Sequence, residues 1–296
     1  MPDMSGEWKV TGKTWECEDI KLGHTLSTGK KQGCFSAGNQ NDVVRLHIGL
    51  KGDYSFTYRQ MGRTYDLVGG HVNMMYSKGF DMEVRNKTLS LETFGVQFPR
   101  ERFIGFARDG GDSLKRFSED VMEGKTVVFS DPWGAVNPCI EQVIQQVIHC
   151  RFERELRQLF LLSKSIELLV LAAEACNLAS ERKEVFIKSK SDMERIIAVR
   201  DLINERVHCP PNLSEIGRIV GLNEYKLKRG FKEVFQTTVF GYLTDQRLNL
   251  AHRYLCDTAK TAAEISFELG YATPQHFNNA FKKKFGTTPA NVRKNP

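Results

Sequence analysis

The chain has 296 residues, of which 41% are hydrophobic and 26% charged, and this is the composition of a folded protein with room for two domains. These values exclude a fibrous or a largely disordered protein. The net charge of +6 belongs to one end, because residues 190–296 carry 17 Lys and Arg against 11 Asp and Glu, whereas the first 189 residues carry 25 of each. This distribution indicates a module that binds a polyanion, attached to a neutral one.

The seven cysteines are scattered, with no C-x-x-C pair and no His at zinc spacing. They indicate free thiols in a reducing compartment, and we expect no metal site. The amino terminus lacks the apolar segment of a signal peptide, and no stretch approaches the roughly 18 apolar residues of a membrane span. We therefore expect a cytoplasmic protein without membrane contact.

Short apolar or alternating runs separated by Gly and polar turns fill about residues 8–129, and they predict a β-sandwich or barrel. The clearest runs are 43–50, 54–58 and 89–94, and the strongest turns are 69–70 and 109–111. His47 and His71 lie in apolar or Gly-rich surroundings without ligand partners, which favours structural histidines over metal ligands.

Four polar side chains of this region could line a pocket, but such residues in a β domain more often lie on its outer face. The ligand-binding residues therefore stay unassigned. The four residues are Arg45, Tyr54, Tyr58 and Tyr65.

A helical pair follows. Asn137-Pro138 has the form of an N-cap with Pro at the first helical position, and a second apolar run covers 153–175. The pair must bury its apolar stripes either against the β domain or against a second subunit, and periodicity leaves both open. Residues 177–190 are rich in Lys, Glu and Ser and predict a linker. A capping box at 191–194 then predicts the start of the last domain.

One pattern occurs twice in that domain. Residues 212–222 and 261–271 each have an N-cap residue, a Glu three positions later, an apolar stripe, a Gly and a large apolar residue. The two copies begin 49 residues apart, but the two Phe residues that follow in each copy are 50 residues from their counterparts. The second copy therefore has one extra turn residue. Two capped helices joined by a Gly turn predict a helix-turn-helix, whose second helix enters the DNA major groove.

Residues 238–257 predict one unbroken helix between the two copies. At 1.5 Å per residue this helix is roughly 30 Å long, close to one turn of DNA. A rod of this length can hold two recognition helices in successive major grooves.

The first recognition helix is expected to start at the N-cap Asn223 and to expose a basic face. Arg and Lys can donate to guanine O6 and N7, and Tyr can reach a phosphate or a thymine methyl. The candidates for DNA contact are Asn223, Tyr225, Lys226, Lys228, Arg229 and Lys232.

The second recognition helix is expected to start at the N-cap Thr273, with Pro274 next. Its first turns expose Gln275, His276, Asn278 and Asn279, which with Thr273 are candidates for DNA contact. Asn and Gln pair well with adenine N6 and N7. Lys282, Lys283 and Lys284 follow, and they suit phosphate contacts because Lys acts as a point charge.

The motifs GLNEYKLKRGFK at 221–232, EISFELGY at 264–271 and FKKKFGTTP at 281–289 resemble those of the AraC/XylS family of bacterial transcriptional regulators. The resemblance covers about residues 191–294. It implies base contacts by Tyr225, Lys228 and Arg229 in the first helix. In the second helix it implies contacts by Gln275, His276 and Asn279, although many members have Arg where this chain has Asn279.

Three further motifs, VFGYL at 239–243, QRL at 246–248 and AHR at 251–253, are similar to the branch that controls siderophore and iron uptake, the pyochelin-type regulators. This resemblance implies a cupin-like effector domain at the amino terminus. That domain would bind an iron–siderophore complex or a similar small molecule, with no other cofactor.

We therefore expect an α+β multidomain protein, in which a cupin-like β domain with a helical hairpin precedes an all-α tandem helix-turn-helix domain. The expected segments are 1–130 for the effector domain, 131–176 for the helical pair, 177–190 for the linker and 191–296 for the DNA-binding domain. The expected function is ligand-responsive activation of transcription at the bacterial nucleoid. The expected partners are double-stranded promoter DNA, RNA polymerase and, as one open alternative, a second copy of the chain.

Two rival functions differ in the role of the front half. A constitutive DNA-binding regulator would use it only to dimerise, and saturable binding of a small molecule there would count against this. An enzyme with a DNA-targeting module would need catalytic residues. Residues 1–130 contain no phosphate loop, no G-x-S-x-G elbow and no H-E-x-x-H, so we expect none.

Overall fold

The computed structural model describes residues 8–181, 186–187, 189–235 and 237–294. The chain divides into two compact units, Met1–Lys183 and Glu184–Pro296. The first unit combines an antiparallel sheet with helices, and the second is helical, which confirms the predicted fold class. Among the described residues, no helix is both long and apolar enough to cross a bilayer.

One antiparallel sheet forms the framework of the first unit. Its strands are β1 (Trp8–Cys17), β2 (Ile20–Gly29), β3 (Cys34–Lys51), β4 (Tyr54–Tyr58), β5 (Arg63–Leu67), β6 (His71–Asn86), β7 (Ser90–Pro99), β8 (Val127–Val128) and β9 (Gly134–Ala135). The strand order is β1-β2-β7-β3-β6-β4-β5, and the two short strands β8 and β9 pair with β6. Strand β3 contains the predicted run 43–50, β4 is the run 54–58, and β7 contains all of the run 89–94 except its first residue.

Strand alternation divides the sheet into two apolar faces. On β3, Val44, Leu46 and Ile48 belong to a core that includes the helices of this unit, here called the helix-side core. Because successive side chains point to opposite faces, Arg45 and His47 lie on the other face. That second face holds the inner aromatic cluster, whose buried members are Tyr54, Phe56, Tyr58, Leu67, Met75, Val84 and Leu91.

Four helices pack on the helix-side core: α1 (Arg100–Ala107), α2 (Asp112–Met122), α3 (Pro138–Ile148) and α4 (Arg154–Ser180). The first two were not predicted, because they are short and follow the strand pattern without a clear cap; neither N-cap has a side-chain hydrogen bond. The third begins as predicted, since the Asn137 side chain accepts a hydrogen bond from the Ile140 N–H.

The inner faces of α3 and α4 pack within the first unit. This is the first of the two alternatives left open by the sequence, packing against the β domain. Val143 and Ile144 of α3 and Leu161, Leu168 and Ala172 of α4 are all buried in the helix-side core. On the outer side of α4, Leu156, Leu159, Val170 and Leu178 are exposed.

The predicted linker begins too early. Helix α4 continues to Ser180, so residues 177–180 are helical. Helix α5 (Lys190–Glu205) is capped by Ser189, whose side chain accepts from the Asp192 N–H, and not by Ser191. Burial of the preceding Ile187 in the core of the second unit accompanies the earlier start. Residues 182–185 and 188 of the predicted linker lie outside the described residues.

The second unit consists of α5, α6 (Leu213–Val220), α7 (Glu224–Phe235), α8 (Val239–Asp257), α9 (Ala262–Glu268), α10 (Pro274–Phe285) and α11 (Pro289–Lys294). It has two small cores. Helices α5–α7 and the start of α8 form one around Phe231, and the rest of α8 with α9–α11 forms the other around Phe277 and Phe281. Helix α8, with its N-cap at Thr238, has 19 residues and is about 28 Å long.

The repeat predicted from the sequence is present in the structure. Asn212 and Thr261 both form complete capping boxes with the Glu three residues later. Each turn then has a Gly in the left-handed region, Gly221 with φ of 73° and Gly270 with φ of 75°. The next helix is capped by Asn223 in the first copy and by Thr273 in the second, which confirms the extra turn residue.

Candidate nucleic-acid interface

Helix α7 presents the exposed face that the sequence predicts. Leu227 and Phe231 are buried, while Tyr225, Lys228, Arg229 and Lys232 are exposed at the spacing of one helix face. Tyr225 is 64% exposed. The Arg229 guanidinium donates to the Tyr225 hydroxyl at 2.9 Å, and the Lys228 ammonium donates to the Glu224 carboxylate at 3.0 Å. The face thus carries positive charges and an aromatic ring, and these groups suit contacts with the phosphates and bases of DNA.

Lys226 does not belong to this face, contrary to the prediction. Its side chain is half-buried, and its Nζ lies 2.7 Å from Asp192 Oδ2 on α5. The hydrogen bond from Lys226, with a second one from Ser189, lowers the pKa of the Asp192 carboxyl. Lys226 therefore holds α5 against α7, and its ammonium is directed to that carboxylate.

Helix α10 also begins as predicted. The Thr273 hydroxyl accepts from the His276 N–H at 3.3 Å, and Phe277 and Phe281 are buried. The remaining predicted side chains are exposed on the outer part of the helix: Gln275, His276, Asn278, Asn279, Lys282 and Lys283. The amide side chains lie near the start of the helix, and the two lysines follow one to two turns later. The groups that suit base edges are therefore separated along the helix from those that suit phosphates.

The third lysine of this run is different. The side chain of Lys284 is only 9% exposed, and its Nζ lies 3.1 Å from Asp245 Oδ1 and also donates to the Asp245 carbonyl. The expectation that Lys284 holds a phosphate is therefore wrong. It lies next to the inward-facing Phe285 and joins α10 to α8.

A hydrogen-bonded chain crosses the inner face of the sheet in the first unit. His71 Nδ1 must carry a proton, since it contacts the Val68 carbonyl oxygen. The Tyr54 hydroxyl then donates to His71 Nε2 at 2.8 Å and accepts from His47 Nε2–H at 2.5 Å. Burial lowers the pKa of His71 to about 4; burial and the neighbouring His71 lower that of His47 to about 3. Both imidazoles are neutral and hydrogen-bonded in this arrangement.

The four polar side chains that the sequence left open, as lining a pocket or lying on an outer face, lie inside. Arg45, Tyr54 and Tyr58 are buried and Tyr65 is half-buried. The Arg45 guanidinium stands 4.3 Å from the Phe80 ring centre and donates to Asn39, and burial lowers its pKa to about 10. The missed signal is the regular alternation of β4, in which the aromatic residues Tyr54, Phe56 and Tyr58 are buried while Ser55 and Thr57 are only partly buried.

Trp133 covers this interior. Its ring centre lies 6.0 Å from that of His47, 5.2 Å from that of His71 and 5.6 Å from that of Tyr65. The indole Nε1 and the Tyr65 hydroxyl are buried and have no hydrogen-bond partner within the described part of the chain. Buried polar atoms of this kind need an explanation, because each costs about 1–3 kcal/mol when unsatisfied.

The described ranges contain no group of three His, Cys, Asp or Glu side chains that could hold a metal ion. The absence of a metal site stays a prediction.

Two protein families match the two units. The helix-turn-helix domain family matches residues 216–295, and the regulatory protein PchR N-terminal domain matches residues 31–186, more than half of the chain. The chain belongs to the AraC-type regulators with a PchR N-terminal domain. Its relatives are described as regulatory proteins.

The regulatory protein PchR of Pseudomonas aeruginosa is 37% identical over 118 residues, which is 40% of this chain and 40% of that protein. The chain therefore aligns with less than half the length of this relative. The regulatory protein SoxS of Escherichia coli K12 is 31% identical over 98 residues, covering 32% of this chain and 92% of SoxS.

Two solved structures are among those that match parts or all of this chain. The DNA-binding domain of AdpA in complex with a target DNA is 19% identical, with a TM-score of 0.33, and covers 34% of this chain and 91% of that one. ToxT from Vibrio cholerae is 13% identical, with a TM-score of 0.31, and covers 99% of this chain and 97% of that one.

Proposed function

We propose that this regulator reads promoter DNA with the exposed faces of α7 and α10 and that a small molecule bound in its first unit changes this binding. Tyr225, Lys228 and Arg229 are the proposed base-reading residues of α7. Gln275, His276 and Asn279 have this role on α10, with Lys232, Lys282 and Lys283 on phosphates. The observation that carries the proposal is the repeated arrangement: two capped recognition helices on a shared α8, each with its polar side chains outward.

Arg229 and Lys283 separate base reading from phosphate binding. We expect Arg229→Ala to weaken binding to a specific site by about 1–3 kcal/mol and to relax specificity at one base pair. Lys283→Ala, the matched control, should weaken selected and random DNA alike and reduce the slope of log K against log salt by about one. Fluorescence anisotropy over a salt series measures both, on DNA selected from a random pool by the wild-type chain. Equal losses of both variants on both DNAs would refute the assignment.

The inner aromatic cluster is the proposed effector site. Its rings, the buried cation of Arg45 and the unsatisfied donors Tyr65 and Trp133 suit an aromatic ligand that is anionic or rich in hydrogen-bond acceptors. Ferric complexes of phenolate or catecholate siderophores have this chemistry. An iron–siderophore complex is therefore our proposed effector, and it also agrees with the resemblance to iron-uptake regulators.

The effector is tested with the same anisotropy assay at fixed salt, with a ferric phenolate siderophore and with its iron-free form as control. We expect the ferric form to change the Kd for selected DNA by roughly 5–150-fold, the usual size of coupling between two sites. Trp133 fluorescence should change over the same concentrations. DNA binding that is indifferent to every compound would favour the constitutive alternative, in which the first unit only dimerises.

Two partners complete the proposal. A second copy of the chain would cover the exposed Leu156, Leu159, Val170 and Leu178 of α4, since an apolar helix face can be self-complementary across a two-fold axis. Sedimentation equilibrium of the full chain tests this.

The second partner is RNA polymerase, and activation of transcription would follow from contact with it. Transcription from the selected site with purified polymerase tests this contact.

A further inference from the structure

Residues 186–187, which lie shortly before α5 in the sequence, are here called the entry segment. The entry segment packs on the recognition helix α7. Phe186 and Ile187 belong to the same compact unit as α7. In the sequence they follow directly after residues 182–185, through which the chain passes from the first unit to the second. The entry segment therefore comes soon after the boundary between the units in the sequence, and it contacts the helix that is proposed to read DNA.

Backbone hydrogen bonds and a cavity-filling side chain fix the entry segment to α7. The Glu233 carboxylate accepts from the Phe186 N–H at 2.9 and 3.1 Å and from the Ile187 N–H at 3.1 Å. Ile187 is 4% exposed and fills the space above Gly230. A Cβ at position 230 would lie 2.7 Å from Ile187 Cδ1 and 2.9 Å from Ile196 Cδ1, so the absence of a side chain there makes room for the segment.

The Phe186 ring then contacts two of the proposed base-reading residues. The Arg229 guanidinium carbon stands 4.4 Å from the ring centre, in cation–π geometry. The Tyr225 ring is edge-on to Phe186 at 5.9 Å, and Arg229 donates to the Tyr225 hydroxyl at 2.9 Å. Phe186, Tyr225 and Arg229 thus form a closed set of three contacts on the exposed side of α7.

We propose that Phe186 is a positioning residue that orients Arg229 and Tyr225 and thereby determines DNA specificity without reading a base itself. This inference rests on the proposed base-reading role of those two residues. An exposed Arg loses side-chain freedom when it binds, and holding it in place beforehand reduces that cost. A bidentate contact from Arg to guanine also depends on direction, so a freely moving guanidinium discriminates less well.

The test compares Phe186→Ala, Phe186→Leu and Phe186→Tyr in the full chain, on DNA selected from a random pool by the wild-type chain and on random DNA. Phe186→Leu keeps apolar packing without a ring, and Phe186→Tyr keeps the ring. We expect Phe186→Ala and Phe186→Leu to bind selected DNA roughly five- to tenfold more weakly and random DNA unchanged. Phe186→Tyr should bind as the wild type does. Thermal melting by circular dichroism checks that each variant is folded.

A double-mutant cycle shows whether Phe186 acts through Arg229. In an Arg229→Ala background, adding Phe186→Leu should weaken binding by less than about twofold, because the side chain to be positioned is gone. Phe267→Ala, at a Phe that is 59% exposed on α9, is the matched control and should leave both affinities unchanged.

The outcomes separate the inference from the proposal on which it rests. If Arg229→Ala weakens selected and random DNA equally, the base-reading assignment is wrong. If Arg229→Ala loses specificity but Phe186→Leu binds as the wild type does, weakens both DNAs alike or binds more tightly, the positioning role is overturned while the assignment stands. Full additivity in the cycle would also overturn it.

Discussion

When the pH falls from about 7 to about 5.5, the first unit is expected to lose roughly 2 kcal/mol of its free energy of unfolding. The reason is that two interior histidines stay neutral in the folded unit but take up protons in the unfolded chain. The pKa of His47 is lowered to about 3 and that of His71 to about 4, chiefly by burial. An unfolded His titrates near pH 6.5, so below that pH the unfolded chain takes up protons that the folded unit does not. Their contribution to stability is complete above about pH 6.5 and decreases as the pH falls towards about 4.

Tryptophan fluorescence in urea isolates this effect, because all three tryptophans, Trp8, Trp15 and Trp133, lie in the first unit. His71→Gln should roughly halve the slope of unfolding free energy against pH, since one of the two titrating groups is removed. His149→Gln, at an exposed position on the surface, is the control and should keep the slope. A slope that His71→Gln leaves unchanged would contradict the neutral His47–Tyr54–His71 chain.

Phe281→Ala should destabilise the carboxyl-terminal part of the second unit by about 3–5 kcal/mol, as expected for a fully buried Phe. The side chain has no exposed surface, and its core is small: Leu248, Ala251, Leu255, Ile265, Leu269, Phe277, Phe281 and Val292. We expect α9–α11 to lose helix content first, because the core around Phe231 is separate. Binding to selected DNA should then fall to the level of random DNA.

Urea unfolding followed by circular dichroism measures this loss. Phe267→Ala removes the same side chain from an exposed position and should change stability by no more than about 0.5 kcal/mol. Comparable losses in both variants would mean that Phe281 is not the centre of this core.

The second unit was the part best predicted from sequence, because its signals are local. The capping boxes at Asn212 and Thr261 need only a Glu three residues away, and the turns need a Gly that tolerates positive φ. The predicted cap of α5 at Ser191 was wrong, since the helix is capped by Ser189, two residues earlier.

The first unit was predicted as a class but not in its interior. The runs that became β3 and β4 were recognised, yet the sequence did not decide whether the side chains of Arg45, Tyr54 and Tyr58 lie inside or outside. Their direction depends on which sheet face is covered, and this follows from α3 and α4 packing on the opposite side. The short helices α1 and α2 were missed for the related reason that they are stabilised by this packing and have no side-chain caps.

Sequence patterns alone predicted the tandem helix-turn-helix, its extra turn residue, the outward direction of most candidate DNA-binding side chains and the β-rich front half. They did not predict that Lys284 pairs with Asp245, 39 residues away, that Lys226 pairs with Asp192, or that Phe186 lies beneath Arg229. The two groups of features differ in the range of the interactions that produce them. Caps, turns and helix faces depend on neighbours within about one helical turn, whereas the partner of a charge or a ring depends on which distant segments pack together.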